Sequence, residues 1–142
     1  MNAYKQIVKQ VIDYIEDNLA HDIDMEQIAE CIGYSRFHLN RIFTAETGCT
    51  IYKYLQARRL TVAAQALVDT DRPIAQIAYD AGYQSQQAFS LAFKQVYLYP
   101  PKTYREMGVF VPKQNRLSMQ LRARSACGKY GVYIRRIEAA AA

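Results

Sequence analysis

Two short stretches of the sequence carry side chains of the types that pair with the edges of nucleic-acid bases, at helical spacing. In the first stretch these side chains share one helical face: Arg36, Phe37, Asn40, Arg41 and Thr44. In the second stretch the equivalent face carries Gln86, Gln87, Ser90, Leu91 and Lys94. Arginine pairs with O6 and N7 of guanine, asparagine and glutamine pair with N6 and N7 of adenine, and apolar side chains contact the thymine methyl. The two stretches therefore predict two base-reading surfaces.

The chemistry open to each side chain in these two faces differs. Arg36 is either a base reader or a solvated or phosphate-contacting arginine, and Arg41 contacts a base or a phosphate. Phe37 is either a contact for thymine methyl groups or a member of the core. Lys94 suits a phosphate, and Leu91 offers an apolar contact alone. Because the second face carries less charge, we predict that the first supplies more of the sequence discrimination and the second more of the positioning.

A sequence repeat places these two faces in equivalent settings. Residues 28–34 (IAECIGY) and 77–83 (IAYDAGY) share Ile-Ala and a Gly-Tyr pair at an offset of 49. The matches that follow fall at an offset of 50: Ser35 with Ser85, Leu39 with Phe89, Phe43 with Phe93, and Tyr54 with Tyr104. The pattern predicts a helix, a glycine turn and a serine-capped second helix, occurring over residues 24–46 and again over residues 73–96.

Each repeat has the features of a helix-turn-helix unit. The turn needs glycine where the backbone takes positive φ, and a small alanine in the first helix lets the second helix cross it closely. The second helix has an apolar stripe that packs inward and a polar stripe that faces out, which suits insertion into the major groove of DNA. The alternative is an ordinary repeat of helical hairpins, which would not need the polar stripe.

The remaining predicted helices form a frame for the two units. Apolar residues at every fourth position predict an N-terminal helix over residues 4–19, and a short last helix ends near Met107. Residues 51–68 lack glycine and proline and predict one linker helix of about 25 Å. This length is in range for holding two recognition helices about 34 Å apart, which is one turn of DNA. One chain that reads two neighbouring major grooves in this way favours an asymmetric and somewhat bent DNA site. The predicted fold class is all-α, with about seven helices in a DNA-binding body over residues 5–107.

The net charge of +5 is not spread evenly along the chain. Residues 1–107 hold 11 Lys and Arg against 12 Asp and Glu, whereas residues 108–142 hold 7 against 1. The tail also has a strand-like alternation over residues 130–134. It is therefore either a basic arm that strengthens non-specific DNA binding or the start of a C-terminal effector-binding domain. Acidic side chains cluster early and are expected to face away from DNA: Asp13, Glu16, Asp17, Asp22, Asp24, Glu26 and Glu30.

Several protein classes are disfavoured by the sequence. No stretch approaches the roughly 20 apolar residues of a membrane span, and the N-terminus lacks the apolar segment of a secretory signal, so we expect a cytoplasmic protein with no membrane partner. The widely spaced Cys31, Cys49 and Cys127 favour neither a disulfide framework nor a zinc site. The histidines, His21 and His38, have no nucleophile arrangement beside them, and no glycine-rich phosphate loop occurs. We therefore expect no enzyme activity, no metal and no cofactor.

The sequence resembles the DNA-binding domain of the AraC/XylS family of transcription regulators, most of all its MarA/SoxS/Rob type, over about residues 5–107. The matching residues in and after the first unit are Gly33-Tyr34-Ser35, Leu39, Arg41, Phe43, Thr47-Gly48, Tyr54 and Arg58-Arg59-Leu60. Those in the second unit are Pro73-Ile74, Ile77-Ala78, Gly82-Tyr83, Ser85-Gln86-Gln87, Phe89, Phe93-Lys94, Pro101 and Tyr104-Arg105.

The resemblance implies contacts that the residues alone do not establish. It implies activation of promoters through contact with RNA polymerase. It also implies base contacts from Phe37, Asn40 and Arg41 in the first unit, and from Gln86, Gln87, Ala88 and Leu91 in the second. Three positions depart from the family pattern: Phe37 stands where close relatives often have Trp, Leu91 where they often have Arg, and Leu98 where Gly is common.

The favoured hypothesis is a sequence-specific transcription regulator, an activator, that binds two adjacent major-groove segments of double-stranded promoter DNA. One alternative is the DNA-binding fragment of a larger regulator, which would respond to a small-molecule effector through a C-terminal domain absent from this chain. Another alternative is a protein-interaction module that contacts RNA polymerase without reading DNA.

Overall fold

The computed structural model describes residues 2–117 and, after them, the backbone of two short strands. The described helices are α1 (Ala3–Asp17), α2 (Met25–Ile32), α3 (Arg36–Thr47), α4 (Ile51–Asp69), α5 (Ile74–Asp80), α6 (Gln86–Tyr97) and α7 (Pro101–Met107). The strands β1 (Ser125–Gly128) and β2 (Gly131–Ile134) pair antiparallel, with Ser125 opposite Ile134. The predicted all-α class is confirmed for the seven-helix body, and the hairpin adds a β element after it.

Local sequence signals set the ends of the helices that matter most. At the start of α2, the Gln27 N–H donates to the Asp24 carboxylate at 2.8 Å, and the Gln27 side chain accepts the Asp24 N–H at 3.4 Å. The hydroxyls of Ser35 and Ser85 accept a backbone N–H in the first turn of α3 and of α6, at 3.1 and 3.0 Å. Gly33 ends α2 in the left-handed region at φ +92°. Each such N-cap contributes about 1 kcal/mol, so short helices can start at fixed residues.

Two hydrophobic cores, one at each end of α4, hold the helices together. The first core joins α1, α2 and α3 to the N-terminal half of α4 and includes Ile12, Phe43 and Tyr54. The second core joins the C-terminal half of α4 to α5, α6 and α7 and includes Phe89 and Phe93. We call the helices of the first core unit 1 and those of the second core unit 2, with α4 shared between them.

The shared helix α4 is continuous over 19 residues, or about 28 Å. Its C-terminal end is fixed to unit 2 by Arg105, whose guanidinium donates to the Leu67 carbonyl at 2.8 Å and to the Arg72 carbonyl at 2.7 Å. Among the described residues, no helix is both long and apolar enough to cross a membrane. In the same part of the chain, no three His, Cys, Asp or Glu side chains are grouped as they would be to hold a metal ion.

Residues 109–117 follow α7 without regular secondary structure and pack back along α4. Phe110 packs against the second core, and Leu117 is buried in the first core. The alternation predicted over residues 130–134 overlaps β2, which begins at Gly131. The basic side chains of the tail beyond Leu117 lie outside the described part of the structure.

Candidate nucleic-acid interface

The outward face of α3 presents most of the side chains predicted to read bases. Arg36, Arg41 and Thr44 are exposed, while the other face of the helix is buried in the first core. The Phe37 side chain is 72% exposed, which rules out the alternative that it is a core residue. A large apolar ring standing free beside polar side chains suits contact with thymine methyl groups in the major groove.

Arg36 has two neighbours at the N-terminal end of this face. Its guanidinium lies 5.0 Å from the centre of the Phe37 ring and pairs with the Glu26 carboxylate of α2 at 3.4 Å. The expectation that the early acidic side chains all face away from the recognition side is therefore wrong for Glu26. Sequence position gave no sign of this contact, because it depends on how α2 and α3 cross. Both side chains are exposed, so the pair contributes little to stability.

Asn40 lies on the same helix but is engaged elsewhere in the structure. It is half-buried, and its side-chain oxygen accepts the backbone N–H of Ile51 at 3.0 Å. This N–H is in the first turn of α4 and has no partner within its own helix. Asn40 therefore holds α3 against the start of α4, and bidentate pairing with adenine would need the same oxygen.

The predicted face of α6 forms one side of a shallow groove. Its lining is Ser85, Gln86, Gln87, Ser90, Leu91, Lys94 and Pro100. All five residues predicted from the spacing in this stretch are thus brought together on one surface. Leu91 is 65% exposed and Ser90 is half-buried, while Ala88 is exposed near the helix start. The groove combines amides, a hydroxyl, an ammonium and an apolar side chain, a set suited to base edges and phosphates.

The turns before the two recognition helices each contain a glycine in the left-handed backbone conformation. Gly33 and Gly82 both lie in the left-handed region, at φ +92° and +89°. Gly82 also lies close to Arg59, since a Cβ atom there would be 2.6 Å from the guanidinium of that residue. Arg59 itself donates to the carbonyls of Leu19 and His21, between α1 and α2. This arginine of α4 therefore lies between unit 1 and the turn of unit 2, a positioning role that sequence reasoning missed.

The sequence and the fold of the chain resemble those of known proteins. Residues 28–107 match the protein family described as "Helix-turn-helix domain". The multiple antibiotic resistance protein MarA of Escherichia coli K12 is 38% identical over 98 residues, covering 69% of this chain and 77% of MarA. The uncharacterized HTH-type transcriptional regulator YbfP of Bacillus subtilis 168 is 38% identical over 118 residues, covering 82% of this chain and 40% of YbfP. The solved C-terminal domain of AraT, a response regulator from Geobacillus stearothermophilus, has a TM-score of 0.70 at 29% identity and covers 82% of this chain and 97% of that domain.

The structure contains two serine-capped helices with exposed polar faces, and each packs against a shorter helix that precedes it across a glycine turn. These pairs define a protein with two helix-turn-helix units. With the matches above, this architecture makes the molecule a DNA-binding transcription regulator. The chain belongs to the AraC family of helix-turn-helix regulators, which confirms the resemblance seen in the residues.

Proposed function

We propose that the protein activates transcription by binding promoter DNA as a monomer, with α3 and α6 in successive major grooves. The observation that supports this most strongly is the equivalence of the two helices. Each begins at a capping serine after a left-handed glycine, and each exposes one face while α4 holds both. A shared helix of about 28 Å is in the range for half-sites about 34 Å apart.

Within this proposal the side chains divide by chemistry. Arg41 and Phe37 of α3 read guanine and thymine, and Arg36 lies beside them at the helix start. On α6, Gln86 and Gln87 read adenine, while Ala88 and Leu91 contact thymine methyl groups.

The remaining polar side chains position the helices on the DNA backbone. Lys94 contacts a phosphate, and Thr44 and Ser90 hydrogen-bond to phosphate or sugar oxygens. Asn40 contributes by holding α3 in place, given its bond to Ile51.

A competition experiment with one variant pair tests the proposal. Arg41→Ala should weaken binding to the preferred promoter sequence by about 1–3 kcal/mol and relax specificity at one base position. Lys9→Ala is the matched control, because it removes one exposed positive charge from α1 and leaves both recognition helices unchanged. Equal affinity of the wild-type protein for promoter DNA and scrambled DNA would contradict sequence-specific binding.

We propose RNA polymerase as the protein partner, since the family resemblance implies activation. Transcription in vitro from a promoter carrying the preferred site should rise when the protein is added. If the protein binds polymerase but chemical-shift mapping places no DNA on α3 or α6, the protein-interaction alternative is favoured. The relatives are bacterial, and we propose the cytoplasm as the compartment.

A second candidate function concerns the tail. The match to YbfP spans 118 residues, more than the 107 that end at Met107, and YbfP is much longer than the matched segment. Because residues 109–117 pack into both cores of the helical body, the additional length of YbfP favours the tail beyond Leu117 as the start of an effector-binding domain that completes a ligand-responsive regulator. The chain extended to the length of YbfP should show small-molecule-dependent DNA binding. Ligand-independent binding by the extended chain, with a lower salt dependence on deletion of the tail, would favour the basic arm instead.

A further inference from the structure

The segment of residues 109–117, which we call the strap, runs from one hydrophobic core to the other. Near its start Phe110 packs against the core of unit 2, and at its end Leu117 is 4% exposed within the core of unit 1. Gln114, midway between them, is 1% exposed although it is polar. The strap thus joins the two units by a second connection, separate from α4.

Hydroxyl groups hold the strap backbone at every third residue. The N–H of Val111 donates to the Tyr104 hydroxyl at 2.9 Å, and the N–H of Gln114 donates to the Thr61 hydroxyl at 3.0 Å. The N–H of Leu117 donates to the Tyr54 hydroxyl at 3.1 Å. A buried N–H without a partner costs about 1–3 kcal/mol, so these three bonds fix the register of the strap on α4 and α7.

The two tyrosines that hold the ends of the strap are equivalent positions of the repeat. Tyr54 and Tyr104 are 50 residues apart, the same offset that relates the two recognition helices. Each closes its own unit with a buried ring and directs its hydroxyl to the strap. Each end of the strap is therefore held by the same structural position in a different unit.

Arg58 ties the strap to α1 as well. Its guanidinium donates to the Gln114 carbonyl at 2.7 Å and to both carboxylate oxygens of Glu16, at 2.7 and 2.9 Å. The side chains of Arg58 and Glu16 are only 12% and 11% exposed. Three segments that are far apart in sequence therefore meet at one guanidinium in the middle of the molecule.

On a different face of α4, the side chain of Arg59 bridges the two units beside an open cleft. This cleft of about 150 Å³ lies between them, lined on α4 by Arg59, Val62 and Ala66. At 100° per residue, these positions lie about a third of a turn away from the face that holds the strap. Contact across the cleft alone would leave room for one unit to rotate relative to the other.

We propose that the strap fixes the angle between the two units and so determines which half-site spacing the protein accepts on DNA. The proposal rests on the function proposed above, in which both recognition helices bind at once. Thr61, Tyr54 and Tyr104 are then positioning residues, which act on DNA selectivity without touching DNA. Loosening the strap lets α6 turn relative to α3, so that sites with altered spacing are bound nearly as well as the preferred one.

The test uses substitutions that remove a hydroxyl and keep the side-chain shape. Thr61→Val and Tyr54→Phe, singly and together, are measured on the full chain. Thr61→Ser is the matched conservative variant because it keeps the oxygen that accepts the Gln114 N–H. Tyr14→Phe is a control that removes the hydroxyl of a partly buried tyrosine of unit 1, one that accepts none of the three strap N–H groups.

The DNA probes are the preferred site selected by the wild-type protein, the same site with two base pairs inserted between its halves, and a single half-site. The insertion turns one half by about 70° around the DNA axis. The wild-type protein, Thr61→Ser and Tyr14→Phe should each bind the preferred site about tenfold or more tighter than the inserted one, a difference of about 1.4 kcal/mol. Thr61→Val combined with Tyr54→Phe should reduce this ratio to about threefold or less, with half-site affinity unchanged.

Two results would overturn the role of the strap. One is a Thr61→Val and Tyr54→Phe double variant that remains folded and keeps the wild-type spacing ratio. The other is a wild-type protein that binds the selected site specifically but tolerates the insertion. Failure of the wild-type protein to prefer its selected site over scrambled DNA is a different outcome, which removes the proposed function itself.

Discussion

Leu98 occupies a backbone conformation that its repeat equivalent, Gly48, adopts without strain. Both end a recognition helix in the left-handed region, at φ +74° and +88°, and donate the same capping hydrogen bond. A left-handed conformation costs a residue with a Cβ atom about 1–2 kcal/mol. The Leu98 side chain is 70% exposed, so packing returns little of that cost.

Leu98→Gly should therefore stabilise the protein. The strain energy relieved in the folded state exceeds the free energy that glycine's greater conformational entropy gives to the unfolded state. We therefore expect the free energy of unfolding to rise by about 0.5–1 kcal/mol. Urea denaturation measures the change. Gly33→Ala is the opposite control, because its Cβ meets no atom within 4 Å and the strain at φ +92° acts alone to destabilise. A Leu98→Gly protein that is less stable than wild type would contradict this explanation.

At the same scale, the sequence predicted the face of each helix better than the partner of each side chain. Helical periodicity places Asn40 and Arg41 side by side on the outward part of α3. It does not reveal that the start of α4 passes within hydrogen-bonding distance of Asn40 and leaves Arg41 exposed. The Glu26–Arg36 pair was missed for the same reason, since it depends on how two helices cross.

The helices themselves could be placed from the sequence because their limits depend on nearby residues. Ser35, Ser85 and the capping box of Asp24 act within three residues, and the structure begins its helices there. The strap could not be placed in this way. The N–H groups of Gln114 and Leu117 find their acceptors 53 and 63 residues away, on an element that gives no local signal of that contact.

The attachment of α1 to α4 gives a prediction at the scale of elements. Glu16 and Arg58 form a mostly buried bidentate pair. Burial alone would lower the pKa of Arg58, but the hydrogen bond and charge of Glu16 more than offset this, so the pKa is raised. Glu16→Ala leaves this guanidinium without its counter-charge and should destabilise the protein by about 3 kcal/mol.

Asp13→Ala is the matched control for Glu16→Ala, since Asp13 is also an α1 carboxylate paired with an arginine, Arg116. That pair is exposed, so its loss should cost at most about 1 kcal/mol. Thermal or urea unfolding of both variants measures the difference. Equal effects of the two substitutions would show that the Glu16–Arg58 contact does not hold α1 to α4.

For the whole molecule, the uneven charge along the sequence can be compared with where the basic side chains of the tail lie in the structure. The tail carries the excess positive charge, but at its start Arg116 pairs with Asp13 and Lys113 lies 5.8 Å from the ring centre of Tyr97. The tail up to Leu117 is therefore attached to the body. Net charge could not predict this, because it records neither the partner of a side chain nor the path of the chain.

The buried tyrosines also make the stability of the whole molecule depend on pH. Burial raises the pKa of Tyr54 and raises that of Tyr97 to about 12. A tyrosine in the unfolded chain ionises near pH 10, so above that pH the unfolded state holds fewer protons than the folded state. The free energy of unfolding should therefore fall as the pH rises beyond about 10. Urea unfolding between pH 8 and 11.5 should show this fall, smaller in Tyr54→Phe, whereas parallel curves would contradict it.

The central claim, that two unequal recognition helices read two neighbouring major grooves, is tested most directly by selecting bound sequences from a random DNA pool. The wild-type protein should enrich a two-part motif with its halves about 10 base pairs apart. Arg41→Ala should abolish a base preference in one half of the motif, and Gln87→Ala should cause a smaller loss of base preference in the other half. A motif with one half alone, or loss of the same half in both variants, would contradict the claim.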